Sequence, residues 1–465
     1  MSEIINIVNE LEKISLKYQD SINNYELDQI VSKISLKSEE IAKAVIIKPR
    51  EKPIDIDRKI DDILTSKVFG YPIMLLVLGC ILWVTVTGAN YPSQILSRFF
   101  FWSQGYISNL FFFFHSPDWL HGILVLGVYR CVGWVVAVML PPMAIFFPLF
   151  TILEDLGYLP RVAFNLDRFF QKAGTTGKQS LTMSMGFGCN AAGVISARII
   201  DSPREKLIAI ITNNFIPCNG RFPTLIVIAT IFFGVAINTF YSSIIATAIV
   251  VGLVLIGITV TLITSFVLSK TLLKGVSSSF TLELPPYRKP QILRVFIRSV
   301  FDRTIFVLKR AIIVAAPAGA IIWILANIDI NEINIMDYLA TMLQPIGYAI
   351  GLDGYILLAF ILGLPANEIV LPILIMSYMS QGSLIELSNY DALKQLLIEH
   401  GWTWLTALNL LLFSLLHYPC ATTLLTIRKE TGSNKWTFIS FIIPTVIAFS
   451  VTFLITQVIR FLNLI

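Results

Sequence analysis

The sequence predicts an all-α polytopic membrane protein, and three observations carry that prediction. Of 465 residues, 55% are hydrophobic and only 14% are charged, whereas soluble domains average about 25% charged. Mean hydropathy is +0.74. The apolar residues also fall into runs near the ~20 residues that a helical crossing needs. Together these exclude a string of ordinary soluble domains.

The charges are unevenly placed. Residues 1–67 hold 11 Lys/Arg and 13 Asp/Glu, 24 of the 65 charges in the chain. They read as a cytoplasmic helical arm and linker ahead of a transport domain over 68–465. The opening MSEIINIVNELEKISLKYQD places Ile4, Ile7, Leu11, Ile14 and Tyr18 on one helical face. It lacks the continuous apolar core of a secretory signal. A second amphipathic pattern runs from Tyr25 to Ile46, and Lys48–Pro53 breaks helix as a linker.

Full crossings are expected near Tyr71–Gly88, Leu124–Leu153, Leu207–Val235, Phe240–Leu268, Phe306–Ala326, Trp402–Ile427 and Trp436–Leu462. Basic loops around Arg161–Lys178, Arg198–Lys206, Lys270–Arg310 and Arg428–Lys435 belong on the cytoplasmic side, with the N-terminus. Two further apolar stretches, Ser180–Ala197 and Tyr355–Met379, contain Gly or Pro. Basic loops flank the first and acidic or neutral loops the second. They are therefore expected to be re-entrant or broken elements of opposite orientation, the mark of an inverted repeat.

The two stretches also align. Gly186-Phe-Gly188-Cys189-Asn190 matches Gly363-Leu-Pro365-Ala366-Asn367, and Pro217-Cys218 matches Pro419-Cys420. The second repeat is longer, and its extra residues fall in a loop near 381–401.

Backbone groups freed by Gly and Pro at membrane depth are tolerated only against protein or a water-filled cavity. Cys189, Cys218 and Cys420 each sit beside such a break, whereas Cys80 and Cys131 lie in unbroken apolar sequence and read as buried hydrophobes. Thiolate suits zinc, copper(I) and iron. Glu368 follows Asn367, and an acid at membrane depth costs about 2.5–3.5 kcal/mol to insert, so it marks an ion path or a buried pair. Asn190, Asn213, Asn214 and Asn219 offer amide oxygens or interhelical hydrogen bonds. His417 beside Pro419-Cys420 reads as a helix–helix hydrogen bond. No P-loop, Gly-x-Ser-x-Gly or His-Glu-x-x-His string occurs, so a transport protein rather than an enzyme is expected, with no nucleic-acid partner.

Several motifs resemble the membrane domain of FeoB-type ferrous iron transporters. They are Asp57-Arg-Lys-Ile-Asp61-Asp, Glu154-Asp155-Leu-Gly157-Tyr-Leu-Pro-Arg161 through Asp167-Arg168, Gly177-Lys178, Gly186-Phe-Gly-Cys189-Asn190, Glu283-Leu-Pro-Pro-Tyr287, Pro419-Cys420-Ala-Thr-Thr and Arg428-Lys-Glu-Thr-Gly432. The resemblance implies two Gate (nucleoside-recognition) units, over about 125–270 and 306–462, in a multi-pass plasma-membrane protein. It implies Fe²⁺ as substrate, with no permanently bound cofactor. The family's cysteines map onto Cys189, Cys218 and Cys420, with Asn190, Asn367 and Glu368 as oxygen donors. Gly186, Gly188, Pro217, Gly363, Pro365 and Pro419 make the helix breaks, and Glu154, Asp155 and Asp167 a cytoplasmic exit. The alternative for those acids is a loop salt-bridged to Arg161 and Arg168.

The sequence departs from the family in two places. About 60 residues stand where the family carries a GTPase domain, so a separately encoded GTPase and a FeoA-like small protein are expected partners. The second Gate has Ala366-Asn367-Glu368 where the family often has Ala-Lys-Glu. Homo-oligomers also fit this reading. Two other functions stay open: a carrier of nucleosides or small polar solutes, and a non-transporting membrane scaffold.

Overall fold

The structure is a computed structural model that describes residues 24–45, 56–66, 68–234, 239–275, 287, 291–292, 297, 299–330, 333–380, 382–384 and 390–463. The expected helix over residues 1–20, the Lys48–Pro53 linker and most of the Glu283–Tyr287 motif lie outside them. The described chain is helical apart from one two-residue pairing, β1 (Asp329–Ile330) with β2 (Ile333–Asn334).

The arm contributes α1 (Asn24–Val45) and α2 (Ile56–Leu64). The first apolar helix, α3 (Gly70–Phe113), runs for 44 residues, about 66 Å at 1.5 Å per residue. This corrects the expected span Tyr71–Gly88, because Gly88 and Pro92 lie inside a helix that continues past them. At that length α3 outruns the ~30 Å hydrocarbon layer. Its exposed side carries Trp83, Tyr91, Phe99, Trp102, Tyr106 and Phe112.

The next helix, α4 (Asp118–Asp155), includes a widened π-helical stretch at Gly122–Tyr129. There the backbone comes against α11 (Phe306–Asn327): a Cβ on Gly127 would lie 2.8 Å from the Gly319 carbonyl. Small residues permit this approach where lipid supplies no hydrophobic drive between helices. Then come α5 (Tyr158–Lys172), α6 (Lys178–Gly188), α7 (Asn190–Ser196), α8 (Pro203–Thr212), α9 (Phe222–Ala229) and α10 (Thr239–Lys270). Ser202 starts α8 by accepting from the Glu205 N–H, with Pro203 at the first helical position. Buried Gln179 on α6 donates to Thr212 (2.8 Å) on α8 and to Ser265 (3.1 Å) on α10, which fixes three helices at one polar point.

After α11 follow α12 (Ile335–Ala349), α13 (Gly354–Leu362), α14 (Val370–Tyr378), α15 (Tyr390–Glu399), α16 (Trp404–Leu416), α17 (Ala421–Thr431) and α18 (Asn434–Phe461). The region near 381–401, expected as a loop, contains α15. Caps mark the starts: Asp353 accepts from the Ile356 N–H (2.6 Å) at α13, and Thr403 from the Thr406 N–H (3.3 Å) at α16.

Six described helices or helix pairs are long and apolar enough to cross a membrane, or up to seven if α12 and α13, bent by 110°, form one span. The expected crossing Leu207–Val235 is corrected. The chain there is α8, a 3₁₀ turn at Asn213–Phe215, an extended Ile216, a non-helical stretch through Pro217 and Cys218, and only then α9. Pro217 has no N–H to continue the helix.

Candidate functional site

Four helix breaks meet in the interior, and aligned residues adopt matching backbone at two of them. Cys189 sits between α6 and α7 with φ −157° and ψ 128°; Ala366, its counterpart, stands before the Asn367–Ile369 turn with φ −153° and ψ 122°. At the other pair, Pro217-Cys218 separates α8 from α9, and Pro419-Cys420 separates α16 from α17, with Cys420 the residue before α17. Each break is tied to its neighbour. The Asn219 N–H donates to the Gly188 carbonyl (3.4 Å), and the Ala421 N–H to the Leu364 carbonyl (2.8 Å). Glycine is needed at Gly188 for space, since a Cβ would run into the Phe146 ring.

Together the breaks line one cavity of about 20 Å³, enough for one or two water-sized occupants. Cys189, Cys218, Cys420, Asn190, Asn367 and Glu368 all contribute to its wall, with Gly188 and Pro365 beside them. Gly186, Gly363, Pro217 and Pro419 shape the breaks from behind. Cys80 and Cys131 lie elsewhere, on α3 and α4. The wall also includes Met139 and Met143 of α4 and Ala311 of α11, which the sequence reading passed over, and Thr422 and Thr423 of α17, which it quoted in a motif without giving them a role. The available signal was the four-residue spacing of the methionines and the two hydroxyls following Pro419-Cys420.

The wall is under-satisfied. Asn367 Oδ1 and Thr422 Oγ1 are buried without a hydrogen-bond partner. The Glu368 carboxylate rests against Gly220, where a Cβ would collide with it. Cys420 Sγ lies 3.3 Å from Thr423 Oγ1. Orphaned acceptors facing a cavity are what a cation or its water would satisfy. Among the described residues, however, no three His, Cys, Asp or Glu side chains are already drawn together in metal-holding geometry. The donors share a wall without forming a closed cage.

The asparagines divide their work. Asn213 donates to the Asn190 carbonyl (3.1 Å) and Asn214 to the His417 carbonyl (2.6 Å), both bracing backbone. The Asn190 amide nitrogen, turned toward Gly186 O (3.2 Å) and Ile216 O (3.3 Å), holds its own break. His417 is corrected. Its Nδ1 faces the Phe413 (3.0 Å) and Ser414 (2.9 Å) carbonyls of its own helix, not a neighbouring one, and its Nε2 is buried without a partner.

Arg221 is the functional candidate that the sequence reading missed, although an arginine within an apolar stretch is a signal in itself. It is 1% exposed. Nη1 donates to the carbonyls of Asn214 and Leu415, both at 2.8 Å; Nη2 lies 3.1 Å from Asn214 Oδ1, His417 O and Tyr418 O. Removing the acceptors of a buried charge costs about 3–5 kcal/mol.

The proposed exit acids do not reach the cavity. Glu154 and Asp155 are exposed at the end of α4. Asp167 accepts from the Gly177 N–H (2.6 Å) and from Gln171 (2.7 Å), so its oxygens hold the turn into α6. Arg161, expected in that loop's salt bridges, clamps the arm. It is 2% exposed and makes a two-pronged pair with Asp61 (2.9 and 3.1 Å). Its guanidinium lies 4.2 Å from the Tyr287 ring, and the Tyr287 hydroxyl donates to Asp61 (2.6 Å). Arg161 also donates to the Gly157 carbonyl (2.8 Å), and Gly157 takes φ +82°, a backbone that favours glycine. Three motifs far apart in sequence thus join α2 to α5.

The hydrogen bond from Arg161 is the main cause holding the Asp61 carboxyl below the usual range, against a smaller opposing desolvation. A carboxylate with a lowered folded pKa adds stability above its unfolded pKa of about 3.9 and loses it as pH falls through the folded value. Asp61→Asn is expected to cost on the order of 2 kcal/mol at pH 7, discounted for Asp61's partial exposure. The difference should shrink once pH falls below about 3.9 and be lost as it passes through the lowered folded value. Thermal melting of both proteins across pH 7 to 3 checks this.

The comparisons with known proteins follow the same layout. A profile described as "Nucleoside recognition" (Gate) matches residues 136–232 and 308–434, and one described as "Ferrous iron transport protein B C terminus" matches 250–302. The chain is 29% identical over 432 residues to an Fe(2+) transporter FeoB of Staphylococcus aureus (strain MSSA476), covering 90% of this chain and 62% of that protein. It is 26% identical over 461 residues to an Fe(2+) transporter FeoB of Methanocaldococcus jannaschii, 93% and 65% covered. A Porphyromonas gingivalis Fe(2+) transport protein A/Fe(2+) transporter FeoB fusion protein is 25% identical over 451 residues, 86% and 51% covered. No solved structure matches. The chain spans about 62% of the length of the first of these relatives. Two Gate matches flank a FeoB C-terminal match, and relatives named Fe(2+) transporter FeoB align over about 90% of the chain, so the chain is similar to the membrane portion of FeoB-type transporters.

Proposed function

We propose that the chain carries a divalent metal ion, ferrous iron first, across the membrane through the cavity where the four breaks meet. The observation that carries this reading is the convergence of Cys189, Cys218, Cys420 and Glu368 on one wall. Thiolates with carboxylate and amide oxygens suit a borderline ion better than calcium or magnesium. The names of the homologous FeoB proteins support the same substrate. In this account Cys189 and Cys218 take the partly dehydrated ion, Cys420 joins from the second Gate unit, and Asn190, Asn367 and Glu368 supply oxygens. Binding by thiolates releases protons. Opposed movement of the two broken elements exposes the cavity to each side in turn. Glu154 and Asp155 receive the ion on the cytoplasmic side, with Asp167 shaping that exit through the turn it holds. The arm faces the cytoplasm, where α2 offers a rigid attachment for a GTPase, and a FeoA-like protein is a further partner. The chain itself hydrolyses no nucleotide in this account.

Ferrous iron uptake under anaerobic conditions, in cells lacking other importers, tests the proposal. Undiminished uptake by a Cys189→Ser/Cys218→Ser/Cys420→Ser variant would remove the cysteine site. Gly220→Ala, which pushes a methyl into the Glu368 carboxylate, is expected to cut uptake about tenfold with little change in melting temperature.

The second reading is a nucleoside carrier, favoured by the description of the Gate match. A cavity of about 20 Å³ opposes it, since small-molecule pockets begin near 300 Å³. Thermal stabilisation by uridine or adenosine, with none by Fe²⁺ or Mn²⁺, would reverse the preference.

A further inference from the structure

The breaks at 213–221 and 415–420 lie about 200 residues apart in sequence, yet one side chain joins them. Helix α16 ends at Leu416, and Pro419 brings no N–H to satisfy the carbonyls just before it. Carbonyls at a helix C-terminus are both unpaired and at the negative end of the helix dipole. The Arg221 guanidinium fills that position, taking Leu415 O, His417 O and Tyr418 O from the second unit, and Asn214 O and Oδ1 from the first. Asn214 reinforces the bridge through the His417 carbonyl. Cys218 lies three residues before Arg221, and Cys420 two residues after Tyr418.

We propose that Arg221 is the positioning residue of the site, a cross-brace that holds the Cys218 break against the Cys420 break so that both thiols face one cavity. The brace needs the planar fork as well as the charge, because five acceptors are divided between two nitrogens at a fixed separation, and a lysine ammonium, with three donors on one nitrogen, cannot meet them all. Its contribution to ion uptake rests on the transport reading given above; the brace itself does not.

The test separates the two. In a chain whose only cysteines are Cys218 and Cys420 (Cys80, Cys131 and Cys189 replaced by alanine), a short bifunctional methanethiosulfonate is applied to isolated membranes. The linked peptides are quantified by mass spectrometry. The Cys218–Cys420 link is expected to form, and Arg221→Lys to lower its yield at least about fivefold, with Asn214→Leu causing a smaller loss. With the native cysteines restored, Arg221→Lys is expected to raise the apparent KM for Fe²⁺ about tenfold, or about 1.4 kcal/mol, at similar kcat. A purely structural role would lower the amount of protein and the maximal rate without shifting KM. Reading the link in membranes, before extraction, keeps the result independent of detergent stability. Unchanged yield in both Arg221→Lys and Asn214→Leu overturns the brace. A yield that depends on Arg221, in a chain whose unaltered form moves no iron, upholds the brace and overturns the transport reading.

Discussion

Replacing Glu368 by glutamine is expected to lower ferrous iron uptake about 100-fold while raising the melting temperature of the ion-free protein by a few degrees. The two effects have opposite signs for one reason. Glu368 faces the cavity against Gly220, beside an unsatisfied Asn367 oxygen and an unsatisfied Thr422 hydroxyl. Without a cation, a carboxylate there is an uncompensated cost of about 2.5–3.5 kcal/mol. Glutamine keeps the shape and removes the charge, so the empty protein is relieved and the bound ion loses an anionic partner. An equal energy on the transport side is a factor of roughly 100. Melting curves of purified protein with and without Mn²⁺, alongside cellular uptake, measure both signs. A variant that melts lower and transports normally would make Glu368 a structural residue.

The second large effect is expected at Gly319. Its Cβ would lie 2.5 Å from the Gly127 carbonyl and 2.6 Å from the Cys131 Cβ, and Gly127 meets Gly319 and Trp323 equally closely. These glycines set the distance between α4 and α11, and the same helices carry Met139, Met143 and Ala311 to the cavity wall. One extra methyl in packed surroundings costs about 1–3 kcal/mol, so Gly319→Ala should lower the melting temperature while leaving a folded protein. Gly319→Leu is expected to exceed what the packing can absorb and yield no monodisperse protein. Size-exclusion profiles and melting of both variants check the order. Leucine tolerated at Gly319 would mean that α4 and α11 do not rely on this contact.

The parts of the site that were legible in sequence are those where backbone chemistry writes itself into residue type. Helix breaks at membrane depth need Gly or Pro, so the Gly186–Asn190 and Gly363–Asn367 stretches showed where Cys189 and Ala366 would leave the helix. The cysteines and Glu368 stood out because sulfur and charge are scarce in such sequence. Met139 and Met143 were hidden because a methionine in an apolar helix looks like core. Arg221 was absorbed into an apparently continuous crossing, since nothing local announces that its acceptors lie near residue 415. Asp61, Arg161 and Tyr287 each belonged to a motif, but their meeting depends on how α2 folds back onto α5. The long α3 was shortened in the reading because Gly88 and Pro92 look like a stop, whereas a helix free of neighbours on one side tolerates both.

The claim that the four breaks enclose a cation site is tested most directly by anaerobic titration of the purified protein with Co²⁺, followed by its thiolate-to-metal charge-transfer absorption. The account predicts saturation at a single ion per chain, an absorption band that disappears in the Cys189→Ser/Cys218→Ser/Cys420→Ser variant, and weaker binding in Glu368→Gln. Saturable binding without a thiolate band, or a band that survives the triple substitution, would contradict it.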